Sequence, residues 1–379
     1  MTANGPVTSR RAFVGGALAA GVAAAGGTPV ASAEGLPAQG PAPLVPGPHG
    51  APSGRYRIDL HAHVLPPEYR SALLSRGMVT IGGFPTPDWS PEAAVDFMDR
   101  YGIQAQVLSV SDPGVSFLRG VEAADLARSV NTYLAELVAR EPGRFGALAV
   151  LPLPDVPASI TELAHALDVL HLDGVALLSA YDDIYLGDPR LEPLMWELNR
   201  RGAYVFVHPR SLAPQDKPPV PLPDFLMEFT FDTTRAAALL IAGETLARYP
   251  RIRFQLAHAG GTLPFLAHRI GIASETVIGQ QWPHGLPRPS ALEVARRAGT
   301  FFYDTALSPA PASMGAVLAV ADRSRVVFGS DWPFSALTLS GAGDPQPDLD
   351  QTFDTEGRLR VERLNALREL PRLAEALDG

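Results

Sequence analysis

From Tyr56 onward the chain repeats one unit eight times: a short apolar or β-branched run, a turn, then a stretch with helical spacing. The runs are "YRIDLHAH", "AQVLSVS", "RFGALAVLPL", "GVALLSA", "AYVFVHP", "IRFQLAHAGG", "TFFYDTAL" and "RVVFGSDWPF". Between them lie segments such as "SPEAAVDFMDRYG", "AADLARSVNTYLAELVAR", "VPASITELAHALDVL" and "DPRLEPLMWELNRRG". Several of these open on Asp, Ser or Pro and close near Gly, as helix caps require. Strands that alternate with helices pair in parallel, because each return crosses the sheet through a helix. Eight units over about 320 residues predict an α/β fold, a (β/α)8 TIM barrel whose usual size is ~250 residues before insertions. A doubly wound open sheet competes, but no GxGxxG follows the first strand. The surplus length is expected in loops over 211–231, 277–290 and 335–358, at the end where barrels carry their chemistry.

That end is where the polar residues fall. Side chains alternate along a strand, so Asp59, His61 and His63 of "RIDLHAH" share one face while Ile58, Leu60 and Ala62 pack on the other. His208 ends the fifth run, His258 the sixth, and Asp331 the eighth. Five metal-ligating or proton-transfer groups at strand ends of one barrel point to a metal site. His49, His165, His171, His268 and His284 fall in loops or helical stretches and receive no chemistry.

Composition narrows the choice of metal. The chain has no cysteine, so thiolate nucleophiles and zinc–thiolate sites are excluded. A metal must be held by imidazole and carboxylate, which suits zinc, manganese or iron. The formal net charge of -9 is no footprint for nucleic acid. The N-terminus reads as a targeting segment. Arg10 and Arg11 precede the small apolar run "FVGGALAAGVAAAGG", and "ASA" follows as a cleavage pattern. This resembles a twin-arginine export signal over 1–33, which makes the mature protein extracytoplasmic or secreted. A Pro/Gly-rich linker over 34–54 and a barrel domain over 55–379 complete the expected organisation, with no membrane span left after cleavage.

The motifs resemble the amidohydrolase superfamily. "DLHAH" stands for its DxHxH, "VHP" and "AHAGG" for its next two histidines, and "GSDWP" for its terminal aspartate. "AHAGGTLPF", "GSDWPF" and "WSPEAAVDFMDRYGI" resemble the aminocarboxymuconate-semialdehyde decarboxylase branch. "LPLPD", "YLGDPRLEPLMWELNRR", "FDTTRAA" and "FYDTALS" are similar to 6-methylsalicylate decarboxylases within it. Binuclear members bridge two metals with a lysine at the end of strand four. "GVALLSA" offers none, and Lys217, the only lysine, lies past strand five. The resemblance therefore implies one divalent metal, zinc ahead of manganese, held by His61, His63, His208 and Asp331. His258 is implied as general acid/base, with Asp331 as a second candidate for handling the proton.

Two routes are open at such a site. Metal-bound hydroxide attacks a lactone or ester. Alternatively, a 2-hydroxybenzoate such as 6-methylsalicylate is protonated on the ring carbon that bears the carboxylate, and carbon dioxide leaves. The second is preferred, and a small aromatic carboxylic acid is the expected partner. A third reading is an exported binding protein without turnover, which intact His258 and Asp331 argue against. An acidic substrate calls for a cation: Arg269 in "AHAGGTLPFLAHR", which the branch resemblance places in a neighbouring subunit's site and so implies a homodimer, or Arg235 in "FDTTR". Arg76 is a weaker match for the branch's early basic residues, and Phe84 and Phe225 are candidates for stacking on a ring.

Overall fold

The computed structural model describes residues 55–378, apart from 213–219, 276–288, 338 and 340–342. The export signal, the linker, Lys217, His49, His284 and most of the loop at 277–290 lie outside the described residues. Eight parallel strands form one sheet in chain order: β1 (Arg57–His63), β2 (Ile103–Ser109), β3 (Phe145–Ala149), β4 (Gly174–Leu178), β5 (Tyr204–His208), β6 (Arg253–Leu256), β7 (Phe302–Asp304) and β8 (Val326–Val327). The sheet closes on itself. Leu60 N donates to Phe328 O at 2.9 Å and His63 N to Trp332 O at 2.7 Å, while Ala62 bridges to Trp332 in parallel. This is the (β/α)8 barrel that the repeat predicts.

Local sequence explains the helices between the strands. Ser90, Asp155 and Ser290 cap Pro91–Arg100, Val156–Ala164 and Ala291–Ala298 by accepting from backbone N–H groups of the first turn, and Ser290 forms a capping box with Glu293. Glu192–Arg201 ends on Gly202 at φ 61°. Fully buried Leu177, Val205, Leu240 and Leu263 belong to one cluster that joins sheet to helices, and Phe145, Leu108, Val130 and Leu134 to another. A third ties Leu60, Val107, Phe206 and Phe302 to the C-terminal Ala366, Leu370 and Leu373. Each such Val, Leu or Phe side chain contributes about 1.5–3 kcal/mol on burial. Arg57 at the start of β1 is also buried, with its Nε donating to Glu362 Oε1 at 2.8 Å and its Nη1 to Tyr101 O at 2.8 Å.

The structure departs from the sequence reading in the connections. The stretch "VPASITELAHALDVL" is helical as expected but changes its winding: the α-helix over Val156–Ala164 continues as a π-turn over His165–Val169. The expected loop over 211–231 turns helical at Glu228, where Glu228–Ala242 begins. That over 335–358 contains the turn Pro347–Gln351 and the helix Thr355–Leu359. Two short hairpins, Thr80–Ile81 with Phe84–Pro85 and Ala180–Tyr181 with Ile184–Tyr185, follow β1 and β4. Gly82 and Gly83 at φ 57° and 87° make the first turn possible.

Candidate metal centre and active site

His61 and His63 sit on β1 and His208 ends β5, so the strand pleat aims all three from fixed backbone. His258 and Asp331 lie just past their strands: β6 stops at Leu256 and β8 at Val327. Both residues, with Ala259, hold left-handed backbone at φ 55°, 61° and 55°. Strained positions of this kind persist only where the surroundings fix them, and they concentrate at functional sites. The glycines of the two motifs allow the approach. A Cβ on Gly261 would meet Thr230 O at 2.0 Å, and one on Gly329 would meet His61 Cβ at 2.6 Å.

Ligand atoms of His61, His63, His208 and Asp331 lie within 4.8 Å of one another, and all four residues are buried. His61 Nε2 and His63 Nε2 are 3.1 Å apart, and Asp331 Oδ1 is 3.3 Å and 3.1 Å from them. Each imidazole is oriented from behind. His61 Nδ1 faces Asp304 Oδ2 at 3.0 Å, His63 Nδ1 faces Ser109 O at 3.3 Å, and His208 Nδ1 faces Pro209 O at 2.7 Å. With Nδ1 donating, Nε2 is left as a lone-pair donor, which is the tautomer a metal ligand needs. Converging Nε2 lone pairs repel unless a cation lies between them. The donor set is therefore that of a divalent metal held by three imidazoles and a carboxylate.

Electrostatics agree. Burial pushes His63 down and His208 well down, which favours neutral imidazoles. At His61 burial also opposes the charge, but Asp304 and Asp331 outweigh it and raise the group to about 10. Burial works against the Asp331 carboxylate, yet His61, His258 and His63 hold it well below the usual range. The paired carboxylates demand positive charge at this point, and a divalent ion meets the same demand.

His258 stands outside the four-ligand set. Its Nε2 is 3.4 Å from Asp331 Oδ2, its backbone N donates to Asp304 Oδ1 at 2.9 Å, and its buried Nδ1 has no partner among the described residues. It lines a cavity of about 410 Å³ together with Phe225, Leu226, Leu307 and Gln346. A smaller chamber beside it is lined by Phe84, His208, Phe225, Phe229, Asp331 and Phe334.

The structure brings some of the expected residues together and leaves others apart. Phe225 lines both spaces and Phe84 the inner one, with their rings 6.4 Å apart. Arg235, 49% exposed, donates from Nη1 to Tyr185 Oη at 3.1 Å and lies 3.7 Å from Asp232. Arg269 is exposed on the helix Leu263–Glu275. Arg76 pairs with Glu122 at 3.1 Å. None of the three lines the cavity.

Most residues behind the ligands escaped the sequence reading; Asp59, placed there on the face of His61 and His63, stands behind them with Ser330 and Gln106 as partners. Asp304 accepts from His61, from Gln255 Nε2 at 2.9 Å and from the His258 backbone. Asp59 accepts from Ser330 Oγ at 2.6 Å and Gln106 Nε2 at 3.0 Å, one pleat below His61. The signal available in the sequence was polar residues inside otherwise apolar runs, as in "FQLAH" and "FYDTAL".

A closed parallel barrel with three imidazoles and a carboxylate at the strand ends defines a barrel protein with a metal-binding site. The chain belongs to the amidohydrolase family, whose profile matches residues 58–372. It is 35% identical over 281 residues to a 6-methylsalicylic acid decarboxylase of Penicillium expansum, covering 73% of this chain and 85% of the relative. A solved amidohydrolase II superposes with TM-score 0.73 at 27% identity, over 83% of this chain and 99% of that one. A dihydroxybenzoic acid decarboxylase from Polaromonas, solved with manganese and an inhibitor, superposes with TM-score 0.69 at 20% identity, over 86% and 100% of the two chains.

Proposed function

We propose that the protein is a metal-dependent, non-oxidative decarboxylase of 2-hydroxybenzoate-type acids such as 6-methylsalicylate, a carbon–carbon lyase that releases carbon dioxide. The observation that carries it is His258, placed between the ligand cluster and a cavity of ring size. The likeness to the 6-methylsalicylic acid decarboxylase supplies the chemistry. His61, His63, His208 and Asp331 would hold a divalent ion, which would supply positive charge to the substrate carboxylate and the adjacent phenolic oxygen. His258 moves the proton: Nε2, within 3.4 Å of ionised Asp331, delivers it to the ring carbon that bears the carboxylate. The carbon–carbon bond then breaks, its electron pair restores the aromatic ring, and carbon dioxide departs. Phe84, Phe225 and Phe334 cover the metal side and exclude water.

The finer assignments belong to the same proposal. Zinc is favoured over manganese by the four-ligand nitrogen and oxygen set. A single ion is supported at β4, where Ser179 bonds Asp232 in place of a bridging lysine. A homodimer that brings Arg269 to the neighbouring site would add a cation, which the cavity lining lacks among the described residues. Residues 1–33 act as the export leader. The deciding experiment loads the chain from Glu34 with zinc or manganese and follows carbon dioxide and phenol together from 6-methylsalicylate and other 2-hydroxybenzoates. Stoichiometric release, greater with zinc, is expected. No release from any acid by a metal-loaded protein rejects the decarboxylase.

A further inference from the structure

We propose that Leu307 sets the ring-substituent specificity of this site, by forming an apolar wall that favours a 2-hydroxybenzoate carrying an alkyl group over one carrying a second hydroxyl. The inference rests on the decarboxylase reading and deepens it.

The first observation is the backbone. Beyond β7, Ser308 N donates to Thr305 O at 3.0 Å and closes a turn whose centre is Ala306 and Leu307. Leu307 sits at φ 50°, in the left-handed region. A turn position of that conformation ordinarily takes Gly or Asn, because a Cβ crowds the backbone there. The strain is held from several sides. Gln346 Nε2 donates to Thr305 O at 3.3 Å and to Gly329 O at 2.7 Å, Thr305 N donates to Val327 O at 3.1 Å, and Ala306 N donates to Asp304 Oδ1 at 3.2 Å. The turn is thus fixed to the carboxylate that orients His61, and its leucine lines the cavity that His258 lines. A strained leucine where glycine fits, aimed at a substrate space, marks a side chain kept for what it touches.

The second observation is independent: among the described residues, most hydroxyls of that lining are committed or buried. Thr230 Oγ1 donates to Met227 O at 2.7 Å, and Ser330 Oγ donates to Asp59 Oδ2 at 2.6 Å. Ser335 Oγ and Gln346 Oε1 are both buried. Ser308 is the remaining hydroxyl. A second ring hydroxyl turned toward Leu307 would leave water without recovering its hydrogen bonds, whereas a methyl gains contact. An apolar pocket discriminates against an added hydroxyl by up to about 100-fold, so the expected preference lies between about 10- and 100-fold.

The test compares metal-loaded wild type with Leu307→Gly and Leu307→Asn. It measures kcat/KM for 6-methylsalicylate and for 2,6-dihydroxybenzoate, calorimetric binding of both acids, and Tm. Wild type should prefer the methyl acid in both assays. Leu307→Gly should cut that ratio at least tenfold with no fall in Tm, since glycine tolerates this backbone. Leu307→Asn, which also tolerates it and offers an amide, should cut it further. Turnover of both acids with the same ratio in all three proteins, or a wild-type preference for the dihydroxy acid, overturns the role of Leu307 and leaves the decarboxylase standing. Selective binding of the methyl acid that Leu307→Gly abolishes, with no carbon dioxide from either acid, sustains the wall and sinks the decarboxylase. If neither acid binds, both fall.

Discussion

Asp304→Asn separates a metal centre organised from behind from four polar residues that merely share a rim. The Asp304 carboxylate divides its work. Oδ2 accepts from His61 Nδ1 at 3.0 Å and Gln255 Nε2 at 2.9 Å, while Oδ1 accepts from His258 N at 2.9 Å and Ala306 N at 3.2 Å. Asparagine has one acceptor for these two pairs. If its oxygen keeps the backbone donors, its amide N–H groups face His61 and Gln255, donor against donor. His61 then relieves the clash by moving its proton to Nε2, and a protonated Nε2 cannot bind a metal. The substitution also removes one of the two carboxylates that raise His61 to about 10. Loss of such a partner weakens metal binding by about 10–100-fold, or about 1.4–2.7 kcal/mol. The assay is competition for zinc against a chromophoric chelator, with circular dichroism and urea unfolding to confirm that the barrel is intact. A folded Asp304→Asn protein that holds zinc as tightly as wild type would refute the argument.

Further outcomes follow from the same geometry. His258→Ala should lower kcat by about 10²–10⁴-fold while metal content stays at the wild-type level, because His258 lies outside the ligand set; loss of metal together with activity would place it among the ligands instead. Asp112, buried beyond β2 and accepting from Ser211 N at 3.1 Å, is raised to about 6, chiefly by burial. The folded state binds its proton more tightly than the unfolded chain, whose value is near 3.8, so stability falls as pH rises from about 4 to about 6. A shift of about two units is worth up to about 3 kcal/mol. Asp112→Asn should remove that slope in urea titrations, and identical pH profiles for the two proteins would reject it. Arg269→Ala should raise KM at least tenfold and Arg235→Ala far less, because Arg235 is engaged by Tyr185. Equal effects in a protein that sediments as a dimer would remove Arg269 from the site.

The barrel was legible because a period-two strand and a 3.6-period helix leave different marks on sequence, and eight repeats of both have few closed solutions. The ligands were legible for a related reason: a polar residue at the end of an apolar strand is costly to bury unless something pairs with it. His61, His63, His208 and Asp331 stand out in this way, and their ligand atoms do converge. The supporting groups were not legible. Asp304 meets His61 across 243 residues and Ser330 meets Asp59 across 271, and no local pattern encodes such a pairing. Nor does sequence say that Arg235 turns to Tyr185 or that Leu307 takes left-handed backbone into the cavity wall. By itself the sequence determined the period, the strand ends and the five polar groups placed there, all properties of neighbours along the chain, while the resemblance set His258 apart from the other four. Which tautomer each histidine holds, which arginine faces solvent and what lines the substrate space depend on distance after the barrel closes, and closure brings together residues that the chain keeps far apart.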